Sequence, residues 1–140
     1  MRDMMNSITP AVAIPPAVVT DNTAQVGQII DRQGYESLTF AIIAGTLADA
    51  DATFAALLEE SDASDLSGSN AVADADQVGT EALASFDFGD DGAAFKLGYV
   101  GHKRYVRLTV TPSGNSGNAP LAALAILGHP HSMPTTNPPA

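Results

Sequence analysis

The acidic residues are the first candidates for chemistry. Asp49, Asp51, Glu59, Glu60, Asp62, Asp65, Asp74 and Asp76 crowd the middle of the chain, and hard carboxylate oxygens of this kind bind calcium. An EF-hand loop needs Asp-x-Asp/Asn-x-Asp/Asn-Gly with a Glu at the twelfth place, and that spacing is missing. Alanine and serine interleave the acids, which is the pattern of a solvated face. His129-Pro130-His131 sets two imidazoles on one side of an extended chain. That is part of a zinc site, and no spacing to His102 or a carboxylate completes it. The serines have no Gly-x-Ser-x-Gly setting, and the histidines have no serine partner in sequence. Gly98 and Gly101 precede no helix pattern, so they form no phosphate loop. Carboxylate pairs for glycoside cleavage occur on any acidic sandwich, and nothing selects one here. Trp is absent and aromatics make up 6% of the chain, which weakens a sugar-stacking surface. The residues point to no catalytic group, no cofactor and no bound metal.

The basic residues form the second cluster. Four of the six lie at Lys96, Lys103, Arg104 and Arg107, in a chain with 16 acidic residues and a formal charge of −10. Four cations are too few to hold a phosphate backbone against that acidity, because nucleic-acid binding works by counterion displacement. Two readings remain. Lys103, Arg104, Tyr105 and Arg107 form a patch that meets an acidic loop of a neighbouring subunit, where charge sets register, or they are an exposed strand face with routine ion pairs.

The elements that carry these residues read as strands. Phe95, Leu97 and Tyr99 alternate with Lys96 and Gly98; Val106, Leu108 and Val110 alternate with Arg107, Thr109 and Thr111. A period of two marks half-buried antiparallel strands, and the spacing predicts a central hairpin over Ala94 to Thr111, turning at Gly101-His102-Lys103. Further strands are expected at Ala17 to Thr20, Ala24 to Ile30, Glu36 to Ala44, Thr80 to Phe88 and Leu121 to Leu127. Phe86 and Phe88 should point inward. Ile43 makes the second face of its strand partly apolar, and Leu121 to Leu127 is apolar on both faces, as where another layer or subunit covers them. The Ala-rich run Thr46 to Ala63 suits a helix or a strand; the regular strand spacing around it favours a strand at Thr53 to Glu60. Ser61 to Gly79 reads as an acidic surface loop with a helical turn near Asp74 to Val78. Asp90-Asp91-Gly92 reads as a hairpin turn.

The ends differ from the middle. Pro10, Pro15 and Pro16, with Ile14, suggest an extended N-terminal arm over residues 1–16, and four prolines mark a tail over residues 129–140. Between them, residues 17–128 read as one all-β domain of about eight antiparallel strands, a β-sandwich of jelly-roll type. Arms of this composition fray unless neighbouring chains hold them, so Pro10, Ile14, Pro15, Pro16, His129 and His131 join the basic cluster as candidate contacts. Cysteine is absent, which removes disulfides and thiolate chemistry. No apolar run approaches the roughly 20 residues of a membrane helix, and no secretory signal pattern opens the chain. A product assembled in the cytoplasm, with neither nucleic acid nor membrane as partner, is the expectation.

Tyr99-Val100-Gly101-His102-Lys103-Arg104-Tyr105-Val106-Arg107-Leu108-Thr109-Val110-Thr111, with Ala125-Ile126-Leu127-Gly128-His129-Pro130, carries a family resemblance. So do Gly34-Tyr35-Glu36-Ser37-Leu38-Thr39-Phe40 and Glu59-Glu60-Ser61-Asp62. Over Ile30 to Pro130 the chain resembles small proteins encoded near the major capsid gene of tailed bacteriophages and prophages. The resemblance implies a virion component. Decoration (cement) of the capsid exterior follows as the expected role, with the major capsid protein as partner and a homo-oligomer, often a trimer, as the working unit. A neck, tail or head-fibre component and a carbohydrate-binding module for host attachment are the alternatives.

Overall fold

The computed structural model describes residues 2–139. Eleven strands and one helical turn follow in chain order: β1 (Ile8–Val19), β2 (Gln25–Val26), β3 (Ile30–Asp31), β4 (Tyr35–Ala44), β5 (Thr53–Ser61), β6 (Asn70–Ala71), β7 (Gln77–Val78), α1 (Glu81–Ala84), β8 (Phe86–Asp87), β9 (Ala94–Tyr99), β10 (Tyr105–Ser113) and β11 (Ala119–Pro130). They form two antiparallel sheets, a β-sandwich as the alternating pattern requires. The front sheet runs β1-β11-β4-β9-β7; the back sheet runs β2-β10-β5-β6, with β3 added to β10 and β8 to β5. Leu38, Phe40 and Ile42 of β4 and Leu97 of β9 close over Phe54 and Leu58 of β5 and Val106, Leu108 and Val110 of β10. Phe86 stacks between Phe54 and Phe95, with ring centroids 4.8 and 5.6 Å away. The alternation Phe54, Ala56, Leu58 is buried throughout, so the ambiguous Ala-rich run resolves as a strand because its period of two matches a half-buried sheet.

The central hairpin is corrected. β9 pairs with β4 and β7 in the front sheet, whereas β10 pairs with β5, β2 and β3 in the back sheet. Gly101-His102-Lys103 is therefore a corner between layers. Tyr99 builds it: its hydroxyl donates to Glu60 at 2.5 Å and accepts the Lys103 N–H at 3.0 Å. Arg32 lies 5.0 Å from the Tyr99 ring centroid and donates to the Lys103 and Gly101 carbonyls at 2.8 and 3.2 Å. A Cβ at Gly101 would fall 2.5 Å from the Tyr99 hydroxyl oxygen, so only glycine lets the chain fold over that ring. Burial, then the Glu60 carboxylate, pushes the Tyr99 phenol well above its ordinary range, which keeps it a donor.

Three other expectations change. Residues 8–16 are the first part of edge strand β1, which pairs with β11 from Ile8 opposite Gly128 to Val19 opposite Ala119. Prolines are tolerated because an edge strand has one unpaired side. The register also shifts between Val12 and Ile14 and between Ile14 and Ala17, where Pro15 and Pro16 sit. Thr80 to Phe88 is not one strand: Thr80 caps α1 by accepting the Leu83 N–H at 3.1 Å. Glu81 and Ser85 then accept the β5 N–H groups of Leu58 and Ala56 at 2.8 and 3.0 Å. Side chains satisfy that stretch of the β5 edge where a strand was expected. Phe86 is buried as predicted, but Phe88 is 42% exposed. Asp90-Asp91-Gly92 follows a 3-10 turn at Phe88–Asp90 and joins strands of different sheets.

The stretch expected as one strand at Ala24 to Ile30 is two short pieces, β2 and β3. Between them the Gly27 N–H donates to Leu108 O at 2.9 Å and the Gln28 N–H to Ala13 O at 2.7 Å. This segment therefore ties β10 of the back sheet to β1 of the front. At the other end, the C-terminal segment returns beside the N-terminus, with the Thr135 N–H donating to Asn6 O at 3.0 Å and its hydroxyl to Ile8 O at 2.6 Å.

Candidate interaction surface

The outward face of the front sheet differs from every other face of the molecule. β1, β4 and β11 together contain Glu36 as their single Asp, Glu, Lys or Arg. Their registers set the outward residues in rows. Pro10, Ile126, Thr39 and Gly98 form one; Val12, Leu124, Ala41 and Lys96 the next; Ala122, Ile43 and Ala94 a third. Val12 is 45%, Ile43 56% and Leu124 39% exposed. Shallow depressions run along the face, one over Val12, Ala41, Ile43 and Leu124 and another over Pro16, Val18, Ile43 and Ala122. A third, at one end, is bordered by Met4, Ile8, Ile126, His129 and Met133. A contiguous apolar surface of this kind on a strongly charged chain marks an interaction site.

The outer face of the back sheet is ordinary by comparison. Tyr105, Arg107, Thr109 and Thr111 of β10 oppose Ser61, Glu59, Leu57 and Ala55 of β5. It carries the part-exposed Arg107–Glu59 ion pair, while Ser61 and Thr109 are buried.

The candidate contact residues separate accordingly. Lys103 pairs with Asp62 at 2.5 Å, Arg104 with Asp31 at 2.8 Å and Arg107 with Glu59 at 2.6 Å. Arg104 grips Asp31 through two nitrogens and also covers the Tyr105 ring, 5.0 Å from its centroid. Lys103, Arg104 and Arg107 thus have carboxylate partners within the chain. Pro10 and Pro16 lie on or beside the apolar face, Pro15 is exposed, and Ile14 is buried in the core. His129 Nδ1 is 2.9 Å from Ser37 Oγ, and His131 is paired with Glu36. Those histidines stay at one end of the front sheet. No group of three or more His, Asp or Glu residues placed to hold a metal ion occurs among the described residues, nor does any helix there long and apolar enough to cross a membrane.

Val12, Leu124 and Ala122 were missed as contact residues; the run of apolar residues on both faces of β11 was the signal for Leu124 and Ala122, whereas Val12 lies on β1.

The acidic surface has its own consequence. The Thr23 N–H holds Asp21 below the ordinary value of 3.8, the Arg104 guanidinium does so for Asp31, and the N–H groups of Ser116 and Ser67 for Asp49 and Asp65. A carboxyl depressed in the folded state adds stability above its unfolded pKa and loses it as pH falls through the folded one. Thermal unfolding followed by calorimetry should therefore show a Tm insensitive to these four groups near neutrality and falling below about pH 4. Asp31→Asn should shrink that acid-induced fall.

No protein-family model matches the chain, and no curated protein matches it. Among solved structures, it is similar to the CBM22-1–GH10 modules of Clostridium thermocellum endo-1,4-β-D-xylanase 10B, at 10% identity and a TM-score of 0.42. That match covers 95% of this chain and 28% of the other. It is also similar to the C-terminal family 22 carbohydrate-binding module of the same enzyme, at 11% identity and a TM-score of 0.37, over 89% and 87% of the two chains. Likenesses at this level carry no argument about function.

Proposed function

We propose that this chain is a non-catalytic structural protein that works by assembly, through the outward face of its front sheet. The observation that carries this reading is the near-absence of charge from β1, β4 and β11, which hold Glu36 as their single charged residue, in a chain of formal charge −10. A flat, aliphatic sheet face of this kind is what a subunit of a larger particle presents to its neighbours. The particle suggested by the sequence resemblance is the head of a tailed phage. The chain acts there as a decoration protein on the capsid exterior, with the major capsid protein as a further partner beyond the one that covers this face. The acidic remainder suits the exterior, since it is soluble before assembly and repelled by packaged DNA. Binding only to the assembled shell would stabilise it by mass action.

The test is the copy number of this protein relative to the major capsid protein in purified particles, by quantitative mass spectrometry. A ratio of one, or a simple fraction of it, supports shell-wide decoration. A dozen copies or fewer moves the protein to the neck, tail or a vertex, and complete absence removes the virion reading. Specific, saturable binding on a glycan array would favour the carbohydrate-binding module instead.

A further inference from the structure

We infer that the occupant of the front-sheet face is a second copy of this chain, packed sheet on sheet about a twofold axis that runs along the strands between β11 and β4. The inference deepens the assembly reading above and rests on the same face.

Three observations support a second copy. The first is extent. Adjacent strands β1, β11, β4 and β9 have 12, 12, 10 and 6 residues; at about 4.8 Å between strands and about 3.3 Å per residue they cover roughly 630 Å² before side-chain relief is counted. With that relief the area approaches the roughly 800 Å² that each partner contributes to a stable interface. The second is charge. A basic partner would be drawn to the acidic loops, and an acidic one would be repelled. The partner for this face must bring a flat apolar surface of the same width, with charge confined to its edge at Lys96, and the surface with those properties in this structure is the face itself.

The third is shape. Leu124 of β11 lies beside Ala41 of β4, and Ala122 of β11 beside Ile43 of β4. A twofold axis along the strands exchanges β11 and β4 at the same height. Leu124 of each copy then meets Ala41 of the other, and Ile43 meets Ala122, large against small in both cases. Sheets packed this way stand about 10 Å apart, the spacing of a sandwich core. Lys96, on β9, comes opposite Val12 of the second copy at the rim, where its stem covers the valine and its ammonium reaches water. The other in-plane axis, perpendicular to the strands, stacks Leu124 on Leu124 and Lys96 on Lys96. Size and charge select the first arrangement over a perpendicular axis that crosses the Leu124 row.

Sedimentation velocity on the purified full chain, without capsids, tests this. The wild type should be a dimer at micromolar concentration, and the dimer should tighten on raising salt from about 50 to 500 mM, because no interfacial ion pair is weakened and the repulsion between two acidic bodies is screened. Ile43→Asp should weaken dimerisation at least about 100-fold, since the axis buries the new carboxylate twice. Thr111→Asp, on the back sheet, should leave it unchanged. Circular dichroism should show both variants folded, because both positions are exposed. A monomer at all concentrations, a trimer, or a dimer indifferent to Ile43→Asp overturns the inference. A monomer that still decorates particles would sink the dimer alone. A dimer absent from every particle would sink the virion role alone.

Discussion

Deleting residues 1–16 should abolish the fold. An arm would detach without harm, but the structure makes residues 8–16 part of an edge strand. The deletion removes Ala13 and Ile14, which are 0% and 3% exposed, and strips β11 of its partner from Gly128 to Ala123. It also takes away Ala13 O, the acceptor for Gln28. Six residue pairings with β11 are lost; at about 1 kcal/mol for each backbone hydrogen bond lost or stranded, plus the apolar burial, the cost reaches about 6–8 kcal/mol. That is most of the roughly 5–15 kcal/mol available to a domain. Deleting only residues 1–7 should cost far less, since no residue of the 3-10 turn at Met5–Ser7 is buried. Denaturant unfolding of the two truncations decides it: equal stability of the longer deletion and the wild type would refute the strand assignment.

The second large effect is expected at Gly27. A Cβ there would stand 2.2 Å from Leu108 O and 2.8 Å from Ala13 O, both backbone atoms of paired strands. Neither strand can retreat without breaking its own ladder, and the Gly27 and Gln28 N–H groups donate to those same carbonyls. Gly27→Ala should therefore cost at least about 3 kcal/mol, at the upper end of overpacking penalties. It should lower the urea midpoint while leaving the far-UV spectrum of any surviving folded fraction unchanged. Gly34→Ala is the control for glycine as such, because open space surrounds its Cβ position; its φ of +89° leaves only a backbone strain. A loss at Gly27 no larger than at Gly34 would show that the tie between the sheets is dispensable.

Both predictions concern places where local pattern misleads. Pro10, Pro15 and Pro16 look like an arm because proline is read as a strand breaker. On an edge with shifted register the missing N–H has no partner to lose. Ala94 to Thr111 looks like a hairpin because two alternating runs flank a short Gly-containing turn. What sends the runs into different sheets is the Tyr99 hydroxyl bridging Glu60 and the Lys103 N–H, a contact between residues 39 positions apart. The Lys103 to Arg107 cluster misleads for the same reason. Its carboxylate partners, Asp62, Asp31 and Glu59, lie 41, 73 and 48 positions away.

The sequence by itself determined the all-β class, the alternating core residues of β4, β9 and β10, and the extra apolar face of β11, and it favoured a strand over a helix at Thr53 to Glu60 without deciding between them. All of these follow from alternation along a single strand, where neighbours in sequence decide which side faces water. Only the tertiary structure decided which sheet each strand joins, which charges cancel, and that Val12, Ile43 and Leu124 line up as one surface. Those depend on register between strands far apart in the chain, and no local periodicity encodes that register.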